Sequence, residues 1–261
     1  MVVADLHVHT TNSDGTLPLA AVPGAAREAG VRVVGITDHD RLHPDLRTPV
    51  AHVGGVTLVH GIELRVESDA GAVDLLGYGA RRTDALAAEL ERLQRDRIER
   101  ARRMVERVEA ETGVSLDVSF EPGVGRPHVA RAVAESDAPY DVQGAFDHLI
   151  GDGGPCYVPR DVPSFERGAA LLDDACGLVS LAHPLRYDDP EAALALTAGL
   201  DGVEYHYPYG RVVDLRPVER AVDEHGLVVT GGSDAHDRTL GRAGLDRDEY
   251  RLFRNRVRLG R

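Results

Sequence analysis

Short apolar runs alternate with stretches of helical period along most of the chain. Residues 2–8 read as a first strand, 19–29 as a helix and 31–36 as a second strand, with Gly30 stopping the helix between them. Two further runs, at 56–59 and 73–76, read as strands separated by a short polar stretch. From 83 to 111 the period becomes helical: Leu86, Leu90, Leu93, Ile98, Ala101, Val105 and Val108 form an apolar stripe, and Gly113 ends it. The arginines between Arg92 and Arg107 alternate with Glu at i,i+4 spacing, which predicts a solvated face rather than a nucleic-acid surface.

Residues 121–163 are rich in Gly and Pro, with short helices expected at 128–135 and 142–150. Strand and helix then alternate again, with strands at 178–181, 203–205 and 227–230 and helices at 191–198 and 215–224. This order predicts an α/β fold. Residues 1–80 and 166–261 would form a barrel of βα units, and residues 81–165 a mainly helical inserted subdomain.

A chain of 261 residues, 43% hydrophobic, can bury a proper core, so wholesale disorder is excluded. The 43 acidic residues outweigh 30 basic ones for a net charge of −13, and all 30 are Arg, since the chain has no lysine. That composition fits either Arg-favouring codons or an acidic, salt-tolerant surface. It argues against a wide cationic face for duplex DNA. With no Trp and four Phe, there is little for a long single strand to stack on. Cys156 and Cys176 form no C-x-x-C pair and read as buried free thiols. No basic leader and no 18-residue apolar run is present, so a soluble cytoplasmic protein without a membrane partner is expected.

The chemistry gathers at strand ends. His7 and His9, two apart on a strand, point to one side and can reach one metal ion. Asp38-His39-Asp40 follows the second strand, Glu63 the third, His183 a later one, and Ser233-Asp234-Ala-His236 the last. Any one of these has an ordinary structural explanation. Five strand ends carrying His or carboxylate, with none at the opposite ends, point instead to a shared site where barrel enzymes place catalytic groups. Imidazoles and carboxylates without thiolates suit Mn, Zn or Fe and disfavour a closed structural zinc site. No G-x-S-x-G elbow, phosphate loop or G-x-G-x-x-G fingerprint occurs, which leaves water activated by metal.

In this order, Asp5-Leu-His-Val-His-Thr, Ser13-Asp14-Gly, Thr37-Asp-His-Asp, Gly61-Ile-Glu63, Ala182-His-Pro and Gly232-Ser-Asp-Ala-His236 resemble the polymerase and histidinol phosphatase (PHP) superfamily of metal-dependent phosphoesterases. Gly125-Arg-Pro-His-Val-Ala-Arg131 and Tyr157-Val-Pro-Arg160 are similar to its subgroup of 3′,5′-nucleotide bisphosphate phosphatases and 5′-end RNA nucleases. The resemblance implies a distorted (β/α)7 barrel and two or three divalent metals, Mn favoured. His7, His9, Glu63 and Asp234 would hold the first, Glu63 and His183 the second, and Asp14, His39 and His236 the third. Asp74 stands where the subgroup usually has His. As a ligand, it would bring the carboxylates to four; against three divalent ions these leave the pocket positive and favour a harder ion.

The implied reaction is in-line attack on phosphorus by a hydroxide bridging the metals, with His206 protonating the leaving alcohol. Arg126 and Arg160, with His128 two residues after Arg126, are candidates to grip a second phosphate from the insertion. The expected substrate is a small phosphorylated metabolite, foremost a nucleotide 3′,5′-bisphosphate. Alternatives are histidinol phosphate, the 5′ end of an RNA cut by a 5′-3′ exoribonuclease, or, without catalysis, a degenerate PHP module that binds a partner.

Overall fold

A computed structural model describes residues 1–257. Its strands are β1 (Ala4–Val8), β2 (Val33–Ile36), β3 (Val50–Val53), β4 (Val56–Ser68), β5 (Gly71–Tyr78), β6 (Leu178–Leu181), β7 (Gly202–His206) and β8 (Val228–Gly231). Its α-helices are α1 (Val22–Glu28), α2 (Asp84–Thr112), α3 (Arg126–Glu135), α4 (Val142–Ala145), α5 (Phe165–Ala175), α6 (Pro190–Ala195), α7 (Arg216–His225) and α8 (Arg247–Arg256). The chain divides into two units, residues 1–87 with 162 onward, and Ala88–Asp161.

The first unit holds one sheet in the order β1-β2-β4-β5-β6-β7-β8, with β3 paired to β4. β1, β2 and β4 run parallel, as do β6, β7 and β8. Between these groups β5 is antiparallel to both neighbours, so the sheet departs from a uniform βα repeat. His9 N–H donates to the Ala235 carbonyl at 2.9 Å and Ala235 N–H to that of His7 at 3.3 Å, which sets β1 beside the segment after β8. The sheet is therefore curled.

β1, β2 and β6 are buried at every position, as strands covered on both faces must be. One apolar cluster joins Val22, Ala25 and Ala26 of α1 to Val34, Ile36 and Leu58. Another joins Leu6, Val59, Leu76 and Tyr78 to Phe253 of α8, where the Tyr78 and Phe253 rings meet edge to face at 5.2 Å. α5 lies against β4 so closely that a Cβ on Gly168 would stand 2.3 Å from Val66 Cγ1.

Three elements escape the sequence pattern. β3 is half-exposed to exposed, α5 falls where a Gly/Pro-rich loop gives way, and α8 buries only Phe253 along its length. The β4/β5 hairpin is also longer than its two apolar runs suggested. Its distal part carries Arg65, Glu67 and Ser68, which interrupt the apolar signal, and it turns at Gly71 with φ +84°. Cys156 and Cys176 are free, Cys156 being buried and Cys176 half-buried.

The second unit carries α3, α4, a π turn at Phe146–Ile150 and most of α2, and no strand among its described residues. Its core packs Met104, Val105 and Val108 against Val129, Val133, Leu149 and Ile150. Here the expectation of a solvated arginine face fails at two positions. Arg97 and Arg100 are buried, at 6% and 4% exposure. Arg97 donates to the Val124 carbonyl and Arg100 Nε to that of Val158 at 2.6 Å, so loop carbonyls supply what i,i+4 carboxylates were expected to supply.

Candidate metal centre

Strand alternation puts His7 and His9 on one side of β1, both fully buried. Donor atoms from β4, β5 and the loops after β1, β2, β6 and β8 converge on them in three overlapping groups, each within 4.8 Å: His7, His9 and Glu63; Glu63, Asp74 and His183; His9, Asp14, His39 and His236. Asp234 Oδ1 lies 3.1 Å from His9 Nε2 and 3.5 Å from His7 Nε2. All nine residues singled out as ligands in the sequence are thus brought together, in groups that share His9 or Glu63.

The donor set fits divalent cations. His7 Nε2, His9 Nε2, Asp14 Oδ1 and Asp74 Oδ1 are buried and have no hydrogen-bond partner. Buried polar atoms are normally paired, so orphans gathered on the residues of these same donor groups call for a ligand. Donors held about 2.1 Å from one cation stand roughly 3–3.5 Å apart, and His7 and His9 Nε2 lie 3.4 and 3.3 Å from the Glu63 oxygens.

The loops are fixed from beneath. Buried Asp38 accepts from Thr10 N–H at 2.7 Å, Thr10 Oγ1 and Ser13 Oγ at 2.8 Å and Asn12 Nδ2 at 3.2 Å, shaping the turn that carries Asp14. Asp5 accepts from the amides of Ser233 and Gly241, tying the last motif to β1. Asp40, His183 and Asp234 adopt positive φ of 50°, 27° and 49°. Such strain is held by surrounding contacts and concentrates at functional sites.

Sequence reasoning missed Glu204. Fully buried in β7, it accepts from His7 Nδ1 at 3.0 Å and from the His183 amide at 2.8 Å. A carboxylate acceptor fixes the proton on Nδ1 and leaves Nε2 directed at the centre. Its signal was strand alternation with His206, but the register shifts between the two. Arg65 and Arg186 were also missed. Arg186 lies 3.4 Å from Asp234 Oδ2, to which Tyr207 donates at 2.9 Å.

Burial disfavours charge on His7, but Glu204, Glu63 and Asp234 outweigh it and hold the imidazole well above its ordinary range. Burial would raise Glu63 and Asp234, yet His39 and His7 hold the first, and His7 and His9 the second, well below the usual carboxylate range. His9 goes the other way: burial, then His39, lower it. A bound metal requires neutral imidazole and ionised carboxylate ligands.

His206 stands outside the three donor groups. Its Nε2 pairs with Glu249 Oε1 at 2.7 Å, and it lines a cavity of about 320 Å³ with Tyr205, Tyr207, Tyr209 and Arg242. In the second unit, Arg126 pairs with Asp152 at 2.8 Å, and His128 Nδ1 accepts from the Gly125 amide at the start of α3. Arg160 lies in the same unit, within electrostatic reach of Arg100.

No family model matches the chain. A phosphoribosyl 1,2-cyclic phosphate 1,2-diphosphodiesterase from Eggerthella lenta is 31% identical over 255 residues, covering 90% of this chain and 94% of that protein. This chain belongs to the PHP superfamily. A second relative in the superfamily, the 3′,5′-nucleoside bisphosphate phosphatase of Chromobacterium violaceum, is 29% identical over 258 residues, 90% of this chain and 88% of that one. The 5′-3′ exoribonuclease Rnm of Salmonella typhimurium is 31% identical over 202 residues, 72% of this chain and 67% of the enzyme. A solved Chromobacterium violaceum structure, described as an amidohydrolase with sulfate bound and no metal, superposes with a TM-score of 0.79 at 26% identity over 97% of this chain and 96% of its own. A Bifidobacterium adolescentis structure shares the fold at a TM-score of 0.82 and 24% identity, over 98% and 96%. The chain is thus a hydrolase of the metal-dependent phosphoesterase type. Among the described residues no helix is long and apolar enough to cross a membrane.

Proposed function

We propose that this PHP protein hydrolyses a phosphate monoester of a nucleotide 3′,5′-bisphosphate, releasing phosphate, in a distorted (β/α)7 barrel. The observation that carries the reading is the gathering of nine donor residues in overlapping groups that share His9 or Glu63, with buried, unpartnered atoms among them. Divalent ions bound there, Mn foremost, supply charge that neutralises phosphoryl oxygens and acidify water. The residues themselves orient that charge. Glu204 and the Asp38 network fix the ligands, and Arg186 sits beside Asp234 as a cation for a phosphate oxygen. His206, paired with Glu249, is assigned the leaving-group proton.

A second phosphate is assigned to Arg126 and Arg160, with His128 two residues beyond Arg126 in α3. Support comes from the like-charge crowding of the second unit. Burial, then Arg126, Arg160 and Arg97, push the Arg100 guanidinium down to about 9. Both Arg100 and Arg126 lie over the Tyr157 ring, at 5.9 and 5.8 Å. Gathered guanidiniums are most stable with an anion among them.

The test is turnover by Mn-loaded protein on 3′-phosphoadenosine 5′-phosphate, histidinol phosphate, a ribose 1,2-cyclic phosphate and 5′-phosphorylated RNA, side by side. The bisphosphate should give the highest kcat/KM, with AMP and phosphate as products. Preference for RNA would make the chain an exoribonuclease, and no turnover at full metal occupancy would refute the phosphatase.

A further inference from the structure

Arg65 and Asp74 stand directly opposite each other in the β4/β5 hairpin, and Arg65 NH1 donates to Asp74 Oδ2 at 2.8 Å. Asp74 also belongs to the donor group with Glu63 and His183. Its second oxygen, Oδ1, is buried without a hydrogen-bond partner. Oδ2 is thus engaged by a guanidinium and also lies 3.8 Å from His183 Nε2, while Oδ1 has no partner.

Neither residue is free to drift from this arrangement. The Arg65 amide donates to Asp40 Oδ1 at 3.2 Å, and its side chain is only 36% exposed. The Asp74 amide donates to the Tyr187 hydroxyl at 2.9 Å, which in turn donates to the Ala182 carbonyl at 3.1 Å. A guanidinium keeps its charge in any protein setting, so the cation beside Asp74 is permanent. This position is also the poorest in donors. It offers one imidazole and two carboxylates, whereas His9, Asp14, His39 and His236 make a group of four, and His7, His9 and Glu63 are joined by Asp234.

We propose that Arg65 shares Asp74 with the cation of this position, making Glu63–Asp74–His183 the weakest and last-filled site of the centre. The guanidinium held on Asp74 Oδ2 draws off carboxylate charge and repels the divalent ion. At low free metal the centre then holds two ions, and the third comes and goes with metal concentration. The inference rests on the metal centre described above, not on the choice of substrate.

The experiment is a Mn²⁺ titration of EDTA-stripped, full-length protein by calorimetry, with bound metal counted and folding checked by circular dichroism. Wild type should bind two ions tightly and a third at least about tenfold more weakly. Arg65→Gln, which keeps a donor but loses the charge, should tighten that last step by about tenfold and leave the others within about threefold. Arg65→Lys, which keeps the charge, should resemble wild type, and Asp74→Asn should lose the step. An Arg65→Gln protein with an unchanged or weakened last step, Lys and Gln variants that behave alike, or an Asp74→Asn protein that binds as wild type does would each overturn the proposal. A folded wild type that binds no Mn²⁺ would overturn the metal centre itself and this proposal with it.

Discussion

Glu204 is the sharpest handle on the centre, because it touches two ligands and no reacting group. It accepts from His7 Nδ1 at 3.0 Å and from the His183 amide at 2.8 Å. In Glu204→Gln one of those acceptors becomes an NH2 donor. If the amide faces the His183 N–H, two donors oppose each other in a dry site. If it faces His7, the imidazole must move its proton to Nε2, the atom directed at Glu63 and Asp234. Either outcome forfeits a charge-assisted hydrogen bond, about 1.5–3 kcal/mol. Metal affinity at the His7 position should accordingly fall about 10–100-fold. The assay is competition for Mn²⁺ against a fluorescent chelator, on wild type and variant of matched secondary structure. Affinity within about twofold of wild type would refute the claim that Glu204 sets the His7 tautomer.

Other outcomes follow from the packing and the charges. Asp234→Asn should lose at least one bound metal and nearly all phosphoesterase activity while keeping its fold, read by metal analysis and phosphate release. Gly168→Ala should destabilise by about 1–2 kcal/mol in urea, since overpacking against Val66 outweighs the helix-propensity gain. Burial, with His43 adding to it, pushes His60 down from 6.5 to about 4. The unfolded chain therefore binds this proton first, and stability is full above pH 6.5 and falls as pH drops toward 4. The full difference is about 3 kcal/mol, so His60→Gln should flatten the acid limb of the urea-midpoint profile by up to that amount.

The strands that build the centre were legible from their short, largely buried apolar stretches. His39, His183, Asp234 and His236 were legible because they follow such strands, whereas Glu63 and Asp74 lie inside β4 and β5, which run on past the apolar stretches that marked them. Glu204 was not, since a carboxylate inside an apolar strand looks like an interruption until His7 and His183 are seen to surround it. Arg65 was hidden for a related reason. Its meaning lies in the residue across the hairpin, nine positions on, and no one-dimensional period marks that pairing. The same holds for Arg97 and Arg100. Alternation with Glu suggested solvent, but Val124 and Val158 carbonyls, distant in sequence, bury them. α8 was missed because its N-terminus is set by a capping box at Asp246 and Glu249 and its packing by one phenylalanine, too little for a periodic signal.

The most direct measurement is phosphate release from 3′-phosphoadenosine 5′-phosphate by EDTA-stripped protein as Mn²⁺ is added stepwise, with bound metal counted in the same samples. The protein should be inert without metal, gain activity as the centre fills, and remain inert as Asp234→Asn. Equal turnover by protein shown to be free of metal, or none at full occupancy, would contradict the account.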